Sequence, residues 1–259
     1  CIMNLKNLFV GLILMLLAQW SMAQETTVFT EANQAYKQGL ELFDKGIYGA
    51  AQKEFERSLT LLLPENEAQS ETLRNKSKLY IARCAVRQEL PDGEKLMLDF
   101  IRSTAPDPSS NEALIELANY YFNSREYEKA IEYYDLAPTN SLTMKERSEV
   151  LFRKGYSYFA QKEFGRAKNS FEPIKNAQTE YYYPTNYYLG LVYFFEGKYN
   201  DAIKNFKIVE RSKIRKYTSV VPYYLTQIYF VEGQYDELLD YARPKLNQGG
   251  IRNLKEIYQ

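Results

Sequence analysis

Apolar and polar residues along most of the chain follow the period of amphipathic helices. The stretch 188–209 shows this most clearly, because it predicts two helices joined by a tight turn. Small residues on each helix let the two backbones approach closely, and aromatic residues fill the space beside them. In chain order these small, turn and aromatic positions are Gly190, Tyr193, Gly197, Tyr199, Ala202 and Phe206. The stretch is therefore predicted to form a helical hairpin.

The same order of small and aromatic residues recurs toward the N-terminus. One unit earlier it comprises Gly155, Tyr158, Phe164, Ala167 and Phe171, and before that Ala118, Tyr121, Tyr127, Ala130 and Tyr134. The second-helix positions align as Ala51, Leu96, Ala130, Ala167, Ala202 and Leu238. Their intervals are 45, 34, 37, 35 and 36 residues. A regular interval of this size indicates a repeat array in which each unit packs on its neighbours.

The pattern of a small residue, Tyr, Gly-x-Tyr/Phe, Ala and Phe/Tyr resembles the tetratricopeptide repeat (TPR) family, whose unit has about 34 residues. The resemblance extends from about Ala32 to Ala242. It implies an all-α fold: a right-handed α-solenoid of about six helix–turn–helix units. The units are expected at about 32–63, 77–108, 111–142, 148–179, 183–214 and 219–245, with the start of a further helix at 251–259.

The second unit fits the pattern least well. Cys84 takes its small position, Leu96 replaces the usual Ala, and Pro91-Asp92-Gly93 makes its turn. Because Cys84 falls at a helix–helix contact, we expect it to be a buried small side chain rather than a reactive thiol. In the fourth unit Pro173 should end or kink the second helix, since proline lacks a backbone donor.

The first residues are expected to be a signal peptide spanning 1–23. Lys6 precedes the apolar run Leu8–Ala18, and Ser21-Met22-Ala23 offers small residues for cleavage after Ala23. The alternative is an uncleaved membrane anchor, but eleven apolar residues span only about 16 Å of helix. The segment 24–259 would then be an exported solenoid of the periplasm or outer envelope, touching the membrane only through the leader before cleavage. The junction is similar to those of exported Bacteroidetes TPR-containing envelope proteins.

Composition and motifs argue against several function classes. Thirty-three basic and 33 acidic residues balance, so nothing favours a nucleic-acid partner. The chain has no histidine, which removes His-based acid–base catalysis, Ser–His triads and the usual zinc ligands. Its turn glycines form no phosphate-binding loop. We therefore expect no enzyme activity, catalytic residue, cofactor or metal site.

The chain contains 24 tyrosines. Most are expected to pack helix against helix, but a subset should line the inner face that the first helix of each unit forms. Helical spacing assigns to this face Ile115, Asn119, Phe122, Phe152, Tyr156, Phe159, Tyr187, Leu191, Phe194, Tyr223, Gln227 and Phe230. Aromatic rings give large contact area at low entropic cost, so these residues are predicted to bind a protein or peptide partner. The alternative is that they only pack the fold.

The leading hypothesis is a non-enzymatic protein–protein interaction scaffold of the cell envelope that binds along its concave groove. In TPR proteins that clamp a terminal carboxylate, the first unit carries Lys and Asn where this chain has Tyr36, Leu40 and Asp44, so that clamp is not expected. One alternative is the N-terminal docking arm of a longer envelope protein whose further part is a peptidoglycan-binding domain, a propeller or an enzyme. Another is an aromatic groove that binds glycan or a small ligand.

Overall fold

The chain forms helices joined by turns. The computed structural model describes residues 27–63, 68–246 and 251–253, and no strand occurs among them. The expected signal peptide lies outside these residues, and of the expected helix at 251–259 only the first three residues are described, in a turn. The predicted all-α class of successive helix–turn–helix units is confirmed for the described residues.

The helices follow one another with short connections. They are α1 (27–44), α2 (Tyr48–Leu62), α3 (Ala68–Arg87), α4 (Gly93–Thr104), α5 (Pro108–Asn123), α6 (Tyr127–Leu136), α7 (Met144–Ala160), α8 (Phe164–Phe171), α9 (Tyr182–Phe195), α10 (Tyr199–Glu210), α11 (Arg215–Thr218), α12 (Val221–Val231) and α13 (Tyr235–Leu246). They group into two compact units, residues 1–120 and 121–259, with the boundary inside α5.

In the first unit, α1 and α2 form a hairpin, and α3 packs against both α2 and α4. The ring of Phe55 lies where a side chain on Gly39 would otherwise stand, so the two helices meet closely. Cys84 is buried in the same cluster, as its position predicted. Burial, reinforced by the charge of Glu56, raises the pKa of its thiol to about 12. The thiol is therefore protonated and unreactive at neutral pH.

The α3–α4 hairpin keeps the predicted register, because Leu96 is the fourth residue of α4 as Ala51 is of α2 and Ala130 is of α6. The small residue at the close contact is Gly93, not Leu96: a Cβ on Gly93 would stand 2.9 Å from the Ala85 carbonyl carbon. Gly93 is the first residue of α4, and Leu96 is only partly buried. The sequence predicts Gly93 in the turn because it follows Pro91-Asp92.

Helix α3 begins at Ala68, whereas the repeat pattern placed the start of its unit near Ser77. Its added turns contain Ser70 and Leu73, both of which are buried. Leu73 packs with Ala32 and Leu62. This polar sequence is helical because tertiary packing overrides a weak local pattern.

In the second unit, three hairpins follow one another: α7–α8, α9–α10 and α12–α13. Helix α8 also packs on α9, and α10 on α12, so each hairpin contacts the next. The rings of Phe171 and Phe206 lie against Gly155 and Gly190, repeating the contact of Gly39. Helix α8 ends at Phe171 and continues as a 3₁₀ turn over Glu172–Ile174, which confirms the helix end predicted from Pro173.

Candidate functional site

The second unit contains a cavity of about 320 Å³ with mainly aromatic walls. Of the nine described residues that line it, six are aromatic and two are cationic. They are Phe122, Asn123, Arg125, Tyr127, Phe152, Tyr156, Tyr188, Lys216 and Tyr217. This concentration of rings and positive charge makes the cavity the candidate binding site.

The turn between α5 and α6 supplies one wall of the cavity. Phe122 lies in the last turn of α5, and Tyr127 is the first residue of α6. Between them Arg125 adopts φ 63°, and its N–H donates to the Phe122 carbonyl over 3.1 Å. The Glu126 N–H donates to the Tyr121 carbonyl over 2.9 Å, which closes the helix end. The backbone that carries Arg125 is therefore held in place.

Three further elements complete the walls. Phe152 and Tyr156 are four residues apart on α7 and so project from the same face. Tyr188 comes from α9, and the short helix α11 contributes Lys216 and Tyr217. The site therefore depends on stacked hairpins and on the connection between α10 and α12.

Tyr156 is the centre of the ring cluster. Its ring centroid lies 5.6 Å from Phe122, 5.8 Å from Tyr127 and 5.1 Å from Tyr188, each in an edge-to-face arrangement. Phe152 is 6.4 Å away on the same helix. Edge-to-face pairs at these distances are mutually stabilising, so the wall is formed before any partner binds.

Three tyrosines of the wall, Tyr127, Tyr188 and Tyr217, have raised pKa values and are neutral at physiological pH. Burial raises the pKa of Tyr127, and the neighbouring Tyr156 adds to the effect. Burial likewise raises the pKa of Tyr188 and of Tyr217, again with a contribution from Tyr156. Each phenol therefore keeps its proton and can donate a hydrogen bond.

Two cations border the rings. The Lys216 Nζ lies 5.3 Å from the ring centroid of Tyr217, within cation–π range. Arg125 is exposed beside Tyr127. A third cation, Arg153, lies 5.5 Å from the Phe122 centroid, but Glu149 already pairs with it at 2.8 Å. Positive charge available to a ligand thus comes from Arg125 and Lys216.

A second cavity of about 520 Å³ adjoins the first, because Lys216 lines both. Its other lining residues are Arg215, Ser219, Ile251 and Arg252. The Arg252 N–H donates to the Ser219 carbonyl over 2.8 Å, which ties the 251–253 segment to the end of α11. Three of the five lining side chains are cationic, so this second cavity is strongly positive.

The structure brings together only part of the set predicted from helical spacing. Phe122, Phe152 and Tyr156 line the aromatic cavity. Ile115 and Asn119 are half-buried on α5 in the first compact unit.

The α9 and α12 members of the set have other surroundings. Leu191 is only 5% exposed and lies in the core, so it is a packing residue and offers no contact to a partner. Phe230 is 58% exposed and lies 6.1 Å from Tyr235. The remaining members are half-buried, and most pack against other rings; they are Phe159, Tyr187, Phe194, Tyr223 and Gln227.

Sequence reasoning did not assign six of the lining residues to the site: Asn123, Arg125, Tyr127, Tyr188, Lys216 and Tyr217. Tyr188 adjoins the predicted Tyr187, so the face of α9 that lines the cavity is displaced by one residue from the predicted face. The basic run 211–216 between the predicted fifth and sixth units is, by its sequence alone, typical of a solvated helix end. A cation run followed directly by Tyr217 was the one available signal for a binding function of this connection.

The side chains of this cavity are suited to binding. Among the residues that the structure describes, rings, an amide, phenols and cationic groups line it, without a carboxylate, thiol or imidazole. Across the described residues, no group of three Cys, Asp or Glu side chains is placed to hold a metal ion. The search of those same residues for a helix long and apolar enough to cross a bilayer also finds none.

Comparisons with known proteins agree with the observed architecture. A family model described as tetratricopeptide repeat matches residues 112–137. No curated protein matches the chain. Among solved structures, Pseudomonas aeruginosa PilF aligns over 88% of this chain and 98% of its own, with TM-score 0.55 and 14% identity.

A second solved structure is a Podospora anserina kinesin light chain with nearly identical TPR-like repeats. It aligns over 70% of this chain and 94% of its own, with TM-score 0.53 and 14% identity. At this identity the two likenesses are evidence of a shared fold. The match at 112–137 and the successive helical hairpins agree with these likenesses: the chain has a fold of the tetratricopeptide-repeat kind.

Proposed function

We propose that the protein is a non-enzymatic interaction scaffold that binds a peptide segment of a protein partner in the aromatic cavity. The observation that carries this proposal is the cavity itself, with six aromatic and two cationic side chains among nine. Aromatic residues and Arg are enriched at protein interfaces, where buried rings supply most of the binding energy.

The ring cluster suits a peptide side chain better than a large flat ligand. Tyr156 already contacts Phe122, Tyr127 and Tyr188 by edge-to-face packing, so little ring face remains open for stacking. An apolar side chain can fill the remaining space, while the phenols and Asn123 hydrogen-bond the peptide backbone. Tyr156 would then be the energetic centre of the interface.

We place this function in the periplasm or outer envelope of the cell. The support is the sequence pattern of residues 1–23, with a cation, an apolar run and small residues before Gln24. Mass spectrometry of the protein recovered from a bacterial envelope fraction should find Gln24 as the N-terminal residue. Recovery of the uncleaved chain from the cytoplasm would contradict the proposal.

The binding function is tested with an unbiased display library of random peptides of about twelve residues, a length that spans roughly 40 Å when extended. The purified protein should enrich a subset of sequences. Selected peptides should bind Tyr156→Ala at least about tenfold more weakly, because a central aromatic anchor is lost. Circular dichroism of each variant confirms that helix content is retained.

Phe230→Ala is the matched control, because Phe230 is an exposed ring of the same unit outside the cavity. It should leave peptide affinity unchanged. If the library yields no enriched peptide, or if Phe230→Ala weakens binding and Tyr156→Ala does not, the proposed site is wrong. Binding of oligosaccharides in a parallel glycan panel, without peptide binding, would favour the glycan alternative.

A further inference from the structure

Four cations around the two adjoining cavities lack carboxylate partners. Among the described residues, no ion pair includes Arg125, Arg215, Lys216 or Arg252. Several other cations of the second unit are paired, for example Lys154 with Asp135 at 2.6 Å. Exposed cations are often unpaired, so the lack of partners alone does not indicate a binding site. The positions of these four residues do.

All four line a cavity, and they form one continuous series. Arg125 and Lys216 border the aromatic cavity, whereas Arg215, Lys216 and Arg252 border the second. Lys216 belongs to both and therefore joins them. Among the residues that the structure describes, no acidic side chain lines either cavity, although the whole chain has equal numbers of acidic and basic residues. The positive charge is thus a local property of this site.

The distribution of charge indicates what kind of anion would fit. Cations spread over two cavities suit several carboxylates placed along a chain better than one terminal carboxylate. The rings beside Lys216 require an apolar group in the same ligand, since they form a wall of the same cavity. Nucleic acid fits less well, because Tyr156 offers little free ring face to a base.

We propose that the peptide recognised by this site is acidic, with internal Asp or Glu side chains paired to Arg125, Lys216, Arg215 and Arg252. An apolar or aromatic side chain of the same peptide packs among Phe122, Tyr156 and Tyr188. This inference rests on the proposed peptide-binding function and specifies its partner chemistry. Complementary charge gives such a site its specificity, and the ring wall gives it apolar contact.

Three labelled peptides of about twelve residues test the charge requirement. The first alternates Asp and Glu with Leu and Phe, and the second replaces each acid by its amide. The third keeps the acids and replaces Leu and Phe by Ser. By fluorescence polarisation, the first should bind about tenfold or more tightly than either of the others, because ion pairs and ring contacts both contribute.

Single charge deletions locate the contact. Lys216→Gln and Arg125→Gln should each weaken binding of the acidic peptide several-fold, to about tenfold, and leave the amide peptide unaffected. Both residues are exposed, so neither change should disturb folding. Lys213→Gln is the matched control: it removes one charge from the same basic run but lines neither cavity. The affinity of the Lys213→Gln variant for the acidic peptide should match that of the unmodified protein.

Three results would overturn the inference. The first is equal affinity for the acidic and amide peptides, or no binding of the acidic peptide. The second is an equal loss of affinity from Lys213→Gln and Lys216→Gln, which would show diffuse electrostatic attraction only. Tighter binding of a single-stranded oligonucleotide than of the acidic peptide would likewise count against it. If the random library still enriches neutral peptides that depend on Tyr156, the proposed function stands without this inference.

Discussion

At the scale of single residues, each hairpin turn requires one residue with positive φ. Gly46, Gly197 and Gly233 meet this requirement with φ of 75°, 71° and 69°. Arg125 and Lys162 take the equivalent position, with φ of 63° and 62°. In these five turns an aromatic residue follows two positions later and starts the next helix. The α3–α4 turn has Glu89 at φ 55° and no such aromatic residue. Because only glycine adopts this conformation without steric cost, the turns with Glu89, Arg125 and Lys162 carry backbone strain.

Replacing Lys162 with glycine should stabilise the protein. The left-handed conformation costs a non-glycine residue about 1–2 kcal/mol, which the change to glycine removes. Glycine also has more entropy in the unfolded chain, which offsets about 0.5–1 kcal/mol of this gain in stability. The free energy of unfolding by urea should therefore rise by about 0.5–1 kcal/mol. The reciprocal change Gly197→Lys should lower it by a similar amount. A decrease with Lys162→Gly would show that its side chain outweighs the strain.

At the scale of helices, the recurring contact is a glycine on one helix against a phenylalanine ring on the next. A Cβ on Gly155 would stand 2.5 Å from Cε1 of Phe171, and one on Gly190 would stand 2.6 Å from Cε1 of Phe206. Both rings are fully buried and have no room to move. The hairpin geometry therefore depends on the absence of a side chain at these positions.

Gly155→Ala should destabilise the α7–α8 hairpin even though alanine favours helix formation. Overpacking costs about 1–3 kcal/mol, and the helix preference of alanine offsets about 0.5–1 kcal/mol. The urea midpoint should fall. Gly165→Ala on α8 is the control, since nothing lies within 4 Å of its added Cβ. That change should leave stability equal or raise it by up to about 1 kcal/mol.

The repeat of small and aromatic residues predicted the hairpins because the same packing solution recurs in each. It did not predict the binding cavity equally well. Phe122, Phe152 and Tyr156 follow helical periodicity, and the structure places all three in the cavity wall. Lys216 and Tyr217 lie in α11, a four-residue connection whose position depends on how hairpins pack rather than on a periodic pattern. Local sequence carries little information about such placement.

At the scale of the whole molecule, carboxylates join neighbouring hairpins of the second unit. Glu172, after α8, accepts hydrogen bonds from the Tyr193 hydroxyl on α9 at 2.5 Å and pairs with Lys175 at 2.6 Å. Glu196, after α9, pairs with Lys168 on α8 at 3.1 Å. Because each repeat is stabilised mainly by its neighbours, these contacts support the cooperativity of the array.

Acid should weaken the contact between these hairpins. Burial acts to raise the pKa of Glu172, but hydrogen bonds from Lys175 and Tyr193 outweigh it, so the pKa falls below its ordinary 4.5. A lowered pKa in the folded state means that the stabilisation is present above pH 4.5 and is lost as pH falls through the folded value. Thermal midpoints measured below that pH should fall less for Glu172→Gln than for the unmodified protein. The corresponding difference in the free energy of unfolding should not exceed about 1 kcal/mol, since the Glu172–Lys175 pair is partly exposed. Parallel pH profiles would contradict this assignment.

Stability should also differ among the helices of the second unit. Helix α9 buries six residues, among them Leu189 and Val192, whereas α13 buries only Ala242. A helix with few buried apolar contacts opens locally at a lower free energy than the core. By native-state hydrogen exchange, amides of α13 should therefore exchange well before those of α9, and mild denaturant should reduce this difference in exchange rate.

The α7–α8 hairpin gives an internal comparison, because Phe171 and Ala167 are fully buried there. Equal protection in α13 and α9 would mean that the second unit opens only as a whole. In that case the ties through Glu210, which accepts from Tyr241 at 2.5 Å and pairs with Lys245 at 2.8 Å, would be strong enough to hold α13 on the array.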